Sequence, residues 1–208
     1  MSKEPERLSR KGTIEAINAF ASSGDPFMFL ISFNGGNNLV FPTEKAAQNG
    51  FYMEFPGMTN HDFGPAQNSP INFRTYPVDP IQYQKAFDHV TGQIHYGNSF
   101  LLNLTFPTPV ETNYSLRDIF TASRATYKLY IENELVVFSP ERFIRIRGNT
   151  ISSNPMKGTI NAAIPGAHAL LSSDRKEDAE HNTIVDLIRN DLSTVASNVR
   201  VMRFKYIE

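Results

Sequence analysis

Between Tyr127 and Ser153 the chain doubles back at intervals too short for any helix. "YKLYIE" and "ELVVF" meet at Asn133, and "ERFIRIRGNTISS" folds at Gly148-Asn149. Asn and Gly tolerate the backbone conformations that tight hairpin turns demand. Strands joined by so few residues pair antiparallel, because a parallel pair needs a long crossover. The stretch therefore reads as a β meander. Ile144 and Ile146 alternate with Arg145 and Arg147, which predicts isoleucines inside and arginines outside.

Helical segments surround the meander. Thr13 caps a predicted helix through Ile14, Ala16, Ile17 and Phe20, with Gly24 past its end. "PFMFLISF" (26–33) is a predicted strand, "NGGNN" a turn, and "LVF" (39–41) its hairpin partner. Residues 55–80 are rich in Pro, Gly and Asn and show no period, so they read as loop or linker. Pro80 opens a helix at its first position, where its missing N–H costs nothing. Tyr83, Phe87, Val90 and Ile94 share one face of it, and Gly97 ends it. "SFLLNLTF" (99–106) is a predicted strand, and Ser115 with Asp118 is a capping box. Asp174 caps the helix of "DRKEDAEHNTIVDLIRNDL", with Glu177 at its third position and Ala179, Ile184, Leu187, Ile188 and Leu192 as its apolar stripe. Residues 199–208 read as a further strand. Helices packed on antiparallel sheets make the fold class α+β.

The chain has 208 residues, enough for a substantial core, and a net charge of −1. No basic stripe implies nucleic acid as a partner. With no cysteine, disulfides and thiolate metal sites are excluded, and a metal must take oxygen or histidine ligands. The first residues, "MSKEPERLSRKG", have no apolar centre, and no apolar run approaches membrane-spanning length. The expectation is a cytoplasmic protein with no membrane partner.

Three places carry chemistry. Glu177 and Glu180, three apart, share a helix face and extend its apolar stripe. Carboxylates on an inward face are costly unless paired or bound to metal, whereas acids in a first turn also simply complement the helix dipole. Glu141 follows Pro140 at the start of a strand; a salt bridge to Arg142 is the plainer reading. Lys157 sits in "SSNPMKGTI", between Pro155-Met156 and Gly158-Thr159. It is either a solvated turn lysine or a nucleophile, and a nucleophilic amine must be neutral. Gly158 and Thr159 can offer backbone N–H groups and a hydroxyl to a carboxylate. The five histidines form no ligand pair; only His181 lies beside a candidate, Glu180.

Taken together, "SPERFI", "NPMKGT" and "KEDAEHNTIVDLIRNDL", in that order, closely resemble the chorismate-utilising enzymes, from about residue 80 to the end. That family includes the first components of anthranilate and aminodeoxychorismate synthases, and the isochorismate and salicylate synthases. The resemblance implies a division into a short N-terminal α/β segment, 1–79, and the front part of a chorismate-binding catalytic domain, 80–208. Aminodeoxychorismate synthases carry Pro-Ile-Lys-Gly-Thr where this chain has Pro-Met-Lys-Gly-Thr, and anthranilate synthases carry alanine at the lysine. Isochorismate and salicylate synthases use a lysine base on an earlier strand, where this chain has Leu101. Leucine cannot activate water, which argues against those two activities. Glutamine is common there in the amidating members, so Leu101 departs from them as well.

The resemblance implies a transferase of para-aminobenzoate and folate biosynthesis that converts chorismate and ammonia to 4-amino-4-deoxychorismate. Lys157 is then the nucleophile and Glu141 the acid, with Gly158 and Thr159 on the substrate carboxylate. Mg2+ is the implied cofactor, held by Glu180 with Glu177 as second candidate. A glutamine amidotransferase subunit is the implied ammonia source. The alternatives are anthranilate synthase component I and a non-catalytic fragment or interaction module. The family's later blocks (a Gly-rich segment, a carboxylate-binding arginine and another metal-binding glutamate) are not in this chain. The expectation is a partial domain, lacking the C-terminal half, with no synthase activity alone and with exposed strand edges.

Overall fold

The computed structural model describes residues 5–67 and 69–207. The chain divides into two compact units. The first comprises Met1–Tyr52, His61–Ser123 and Tyr130–Val136; the second comprises Met53–Asn60, Arg124–Leu129 and Val137–Glu208.

Helix α1 (Arg10–Ser23) starts at Ser9, whose hydroxyl accepts the Gly12 N–H, and ends at Gly24 with φ +76°. The expected cap, Thr13, is instead buried one turn inside. Its hydroxyl donates to the Ser9 carbonyl at 2.8 Å and accepts from Asn38 Nδ2 at 2.9 Å. Asn38 is itself buried at the end of the "NGGNN" turn, where its Oδ1 accepts the Ser32 N–H at 3.0 Å. That turn joins β1 (Phe27–Leu30) to β2 (Leu39–Pro42) in an antiparallel hairpin, with Phe27 opposite Pro42 and Leu30 opposite Leu39.

The predicted linker contains strands. β3 (Phe51–Phe55) pairs antiparallel with β4 (Met58–Thr59), and β5 (Phe73–Thr75) lies further on. All three residues of β5 are exposed, so no alternation marks it in the sequence. Helix α2 (Pro80–His95) begins as predicted, with Asp79 accepting the Ile81 and Gln82 N–H groups. Tyr83 and Phe87 stack 6.2 Å apart, and Phe106 lies 5.8 Å from Tyr83. The expected strand at 99–106 is irregular; β6 (Val110–Thr112) follows it and takes β5 as its antiparallel partner. Apolar composition alone does not make a strand without a neighbouring ladder.

Helix α3 (Leu116–Ala122) carries the predicted capping box between Ser115 and Asp118. Those bonds hold the Asp118 carboxyl below its ordinary range, chiefly through the Ser115 hydroxyl. The helix buries Phe120 completely, 5.8 Å from Tyr130 and edge-on to Phe63 at 6.2 Å.

Both hairpins of the expected meander form, but they lie in separate sheets rather than one. β7 (Tyr127–Ile131) turns through Asn133, at φ +57°, into β8 (Leu135–Ser139). The sheet order is β4-β3-β7-β8. Lys128 is 4% exposed, and its Nζ lies 2.7 Å from Glu54 Oε2. β9 (Arg145–Arg147) and β10 (Thr150–Ser152) form the second hairpin, with Gly148 at φ +53°. Its facing differs from the expectation: Ile146 is exposed and Arg145 half-buried. The pair is a separate two-stranded ribbon.

Helix α4 (Ala167–Ser173), absent from the sequence reading, leads into α5 (Arg175–Ser193). α5 starts as predicted: Asp174 Oδ1 accepts Lys176 N–H at 2.9 Å and Glu177 N–H at 3.1 Å. The strand expected at 199–208 is not formed over residues 199–207; Lys205 there has φ +51°, outside any strand conformation. The architecture is α+β, with antiparallel sheets and helices.

Candidate functional site

The second unit brings together the three blocks singled out in the sequence. Glu141 lies not at a strand start but in the bend between β8 and β9, because β8 ends at Ser139. Ser139 shapes that bend: its hydroxyl donates to the Glu141 carbonyl at 2.7 Å and accepts the Glu141 N–H at 3.3 Å. The side chain of Glu141 then reaches across to the next loop, where its Oε2 accepts the N–H of Met156. The carboxylate is thus anchored one residue from Lys157.

Lys157 follows β10 in a loop with no regular structure, and its side chain is exposed. The loop is fixed on both sides of it. Upstream, Ser153 Oγ donates to the Phe143 carbonyl at 2.6 Å, and Asn154 Nδ2 to Tyr206 Oη at 3.2 Å. Downstream, Gly158 has φ +71° and packs against α4 and α5. A methyl built on it would stand 3.0 Å from Leu171 Cδ1 and 3.3 Å from Glu177 Oε2. Only glycine meets both demands without strain. Thr159 is exposed beside it.

On α5, Glu177 and Glu180 do share a face and are only 26% and 27% exposed. Lys176 Nζ lies 3.2 Å from Glu177 Oε1 and 3.1 Å from Glu180 Oε1. The two carboxylates hold this ammonium above the ordinary lysine range, Glu180 contributing most. Sequence reasoning passed over Lys176, although a lysine four before one glutamate and adjacent to another announces the contact. The "VDLIRND" block is paired locally, with Arg189 Nη2 2.7 Å from Asp186 Oδ1. Beyond it, hydroxyls rather than Asn190 and Asp191 side chains satisfy the helix end: Ser193 Oγ donates to the Arg189 carbonyl and Thr194 Oγ1 to that of Asp191. Asp178 faces Lys205, which lowers its carboxyl from the usual range, and His181 lies 5.4 Å from the Phe204 ring.

These placements make one connected surface. Glu141 is tied to the Lys157 loop, and the next residue of that loop rests on Glu177. Beside Glu141 lies a cleft of about 230 Å³ walled by Phe55, Tyr127, Leu129 and Val137. Glu141 is the carboxylate at this largely apolar cleft.

The pair Glu177 and Glu180 fits a hard divalent ion in chemistry: both donors are carboxylate oxygens, and a single positive centre, Lys176 Nζ, already reaches both. Among the described residues, no group of three or more His, Asp and Glu side chains could hold a metal. Two carboxylates alone would leave most of a divalent ion's coordination to water or substrate oxygens. Leu101, in the other unit, is 43% exposed in the irregular stretch before β6. No helix among the described residues is long and apolar enough to cross a membrane.

The pattern of known chorismate binding enzymes matches residues 42–208. The chain belongs to the chorismate-binding enzyme family. It is similar to an uncharacterized PabA-like protein of Haemophilus influenzae, 44% identical over 195 residues, which span 94% of this chain and 59% of that protein. A PabA-like protein of Pasteurella multocida is 41% identical over 202 residues, 97% of this chain and 62% of that one. Aminodeoxychorismate synthase component 1 of Klebsiella aerogenes is 33% identical over 141 residues, 61% of this chain and 31% of that protein. This chain thus spans about 60% of the length of its PabA-like relatives. No solved structure matches it.

Proposed function

We propose that the protein is an ammonia-using aminodeoxychorismate synthase subunit, forming 4-amino-4-deoxychorismate from chorismate for para-aminobenzoate and folate synthesis. The observation that carries this reading is the tie between Glu141 Oε2 and the N–H of Met156, which holds a carboxylate next to the Lys157 loop. The lysine itself is the second support, in the Pro-Met-Lys-Gly-Thr context described above. The likeness to the Klebsiella aminodeoxychorismate synthase component is the third.

In the proposed reaction the neutral Lys157 amine attacks ring carbon 2. Both ring double bonds shift, C1=C2 to C6=C1 and C5=C6 to C4=C5, and the hydroxyl at carbon 4 departs. Glu141 gives that hydroxyl a proton, so it leaves as water; hydroxide alone is a poor leaving group. The proton lost by the newly bonded nitrogen restores Glu141. Ammonia then attacks carbon 4, both double bonds return to their first positions, and the amine of Lys157 leaves carbon 2 with one proton from the incoming nitrogen. A covalent intermediate divides one hard displacement into two easier ones.

Gly158 and Thr159 bind the ring carboxylate through N–H and hydroxyl. Glu180 and Glu177 hold Mg2+, whose chemistry, when bound, is to neutralise the anionic substrate. The exposed Lys157 is desolvated by the substrate laid over it, and desolvation favours the neutral amine. A glutamine amidotransferase subunit supplies the ammonia, in a cytoplasmic assembly.

Product analysis of the full-length protein with chorismate, Mg2+ and ammonium tests the assignment. The proposal predicts 4-amino-4-deoxychorismate, and its loss in Lys157→Ala. Anthranilate as product, undiminished in that variant, would overturn it.

A further inference from the structure

Lys176 stands between the two carboxylates assigned above to magnesium. Three features of α5 put it there. Lys176 and Glu180 are one helical turn apart, Glu177 adjoins Lys176, and the Asp174 cap fixes the first turn that carries all three. The partners differ in exposure: the Lys176 side chain is 73% exposed, against 26% for Glu177 and 27% for Glu180. Gly158 passes close to Glu177: a Cβ built on it would stand 3.3 Å from Glu177 Oε2 and 3.4 Å from Glu177 Cβ. The carboxylates are thus the held partners, and the ammonium reaches them from the solvent side on a flexible stem.

One ammonium between two carboxylates cancels the repulsion that would otherwise spread them apart. A divalent ion competes for the same oxygens, with twice the charge. Two cations within hydrogen-bond reach of one carboxylate pair repel, and the exposed, tethered one leaves at little cost.

We propose that Lys176 is an internal counter-ion: it neutralises Glu177 and Glu180 while the metal is absent and swings into solvent when the metal binds. Metal binding is then an exchange of cations. The inference rests on the metal role proposed above for the two glutamates.

The test is binding of Mn2+ alone, in place of Mg2+, to the full-length protein, read from the electron paramagnetic resonance signal of the free ion. Lys176→Gln removes the competitor and tightens Mn2+ binding by about 1.4- to 5-fold, the range of an exposed ion pair. Lys176→Arg keeps the competitor and the wild-type affinity. In the wild type, acetylation of Lys176 by an activated ester, followed by peptide mass spectrometry, rises when Mn2+ saturates the site. A cation that was merely nearby would not be released, so the acetylation would not change.

Unchanged or weaker Mn2+ binding in Lys176→Gln overturns the proposal, as does acetylation indifferent to the metal. Glu180→Gln separates the two levels. If that variant binds Mn2+ as the wild type does, the metal role of the glutamates fails, and the counter-ion role falls with it.

Discussion

Gly158 shows how much of the site depends on single positions. Its left-handed backbone costs any other L-residue about 1–2 kcal/mol, and a Cβ there would press on Leu171 and on Glu177. Gly158→Ala is predicted to destabilise the protein by at least that strain and to push the Lys157 loop off α5. The check is a lowered thermal midpoint together with weakened chorismate binding. An unchanged midpoint would mean that the loop does not rest on the helix. Asp118 makes a prediction in pH. Ser115 holds its carboxyl below the ordinary range, so the contact stabilises fully above about pH 4 and is lost as pH falls through the lowered native value. The difference in thermal midpoint between wild type and Asp118→Asn should therefore shrink on acidification below that point. A difference that stayed constant into strong acid would contradict the assignment.

At the scale of elements, helix ends were the most legible part of the sequence. Pro80, Ser115 with Asp118, and Asp174 with Glu177 all start helices where they were read. Caps are local: a side chain and the backbone two or three residues on decide them. Strands were legible only where a turn lay beside them. The Asn133 and Gly148 turns folded as read, whereas residues 99–106 and 199–207 are apolar enough yet have no ladder. Strand formation depends on a neighbour distant in sequence, and periodicity carries no record of it. The cap of α5 also positions chemistry, since it fixes the turn bearing Glu177 and Glu180. Asp174→Ala is predicted to cost about 1 kcal/mol of stability and to weaken divalent-ion binding in the same variant. Calorimetry and a metal titration check the two effects, and loss of stability with unaltered metal affinity would separate the cap from the site.

For the molecule as a whole, the site residues were legible in type and order but not in their contacts. Nothing in "SPERFI" indicates that Glu141 reaches the Met156 N–H, and nothing in "KEDAE" requires Gly158 to lie on Glu177. Those contacts come from the second unit's packing. The same scale carries an expectation about association. Phe33, Phe100 and Phe143 are each more than three-quarters exposed, and Tyr83 and Phe87 on α2 are only half covered. Apolar surface on this scale favours contact with other chains. Sedimentation of the 208-residue chain is predicted to show concentration-dependent self-association, and a monomer at all concentrations would refute this. The chemistry has a more direct test. Incubated with chorismate and Mg2+ but no ammonia, the full-length protein should gain the mass of chorismate less one water, on the peptide containing Lys157. An active enzyme that gains no mass, or gains it on another residue, would contradict the covalent role of Lys157.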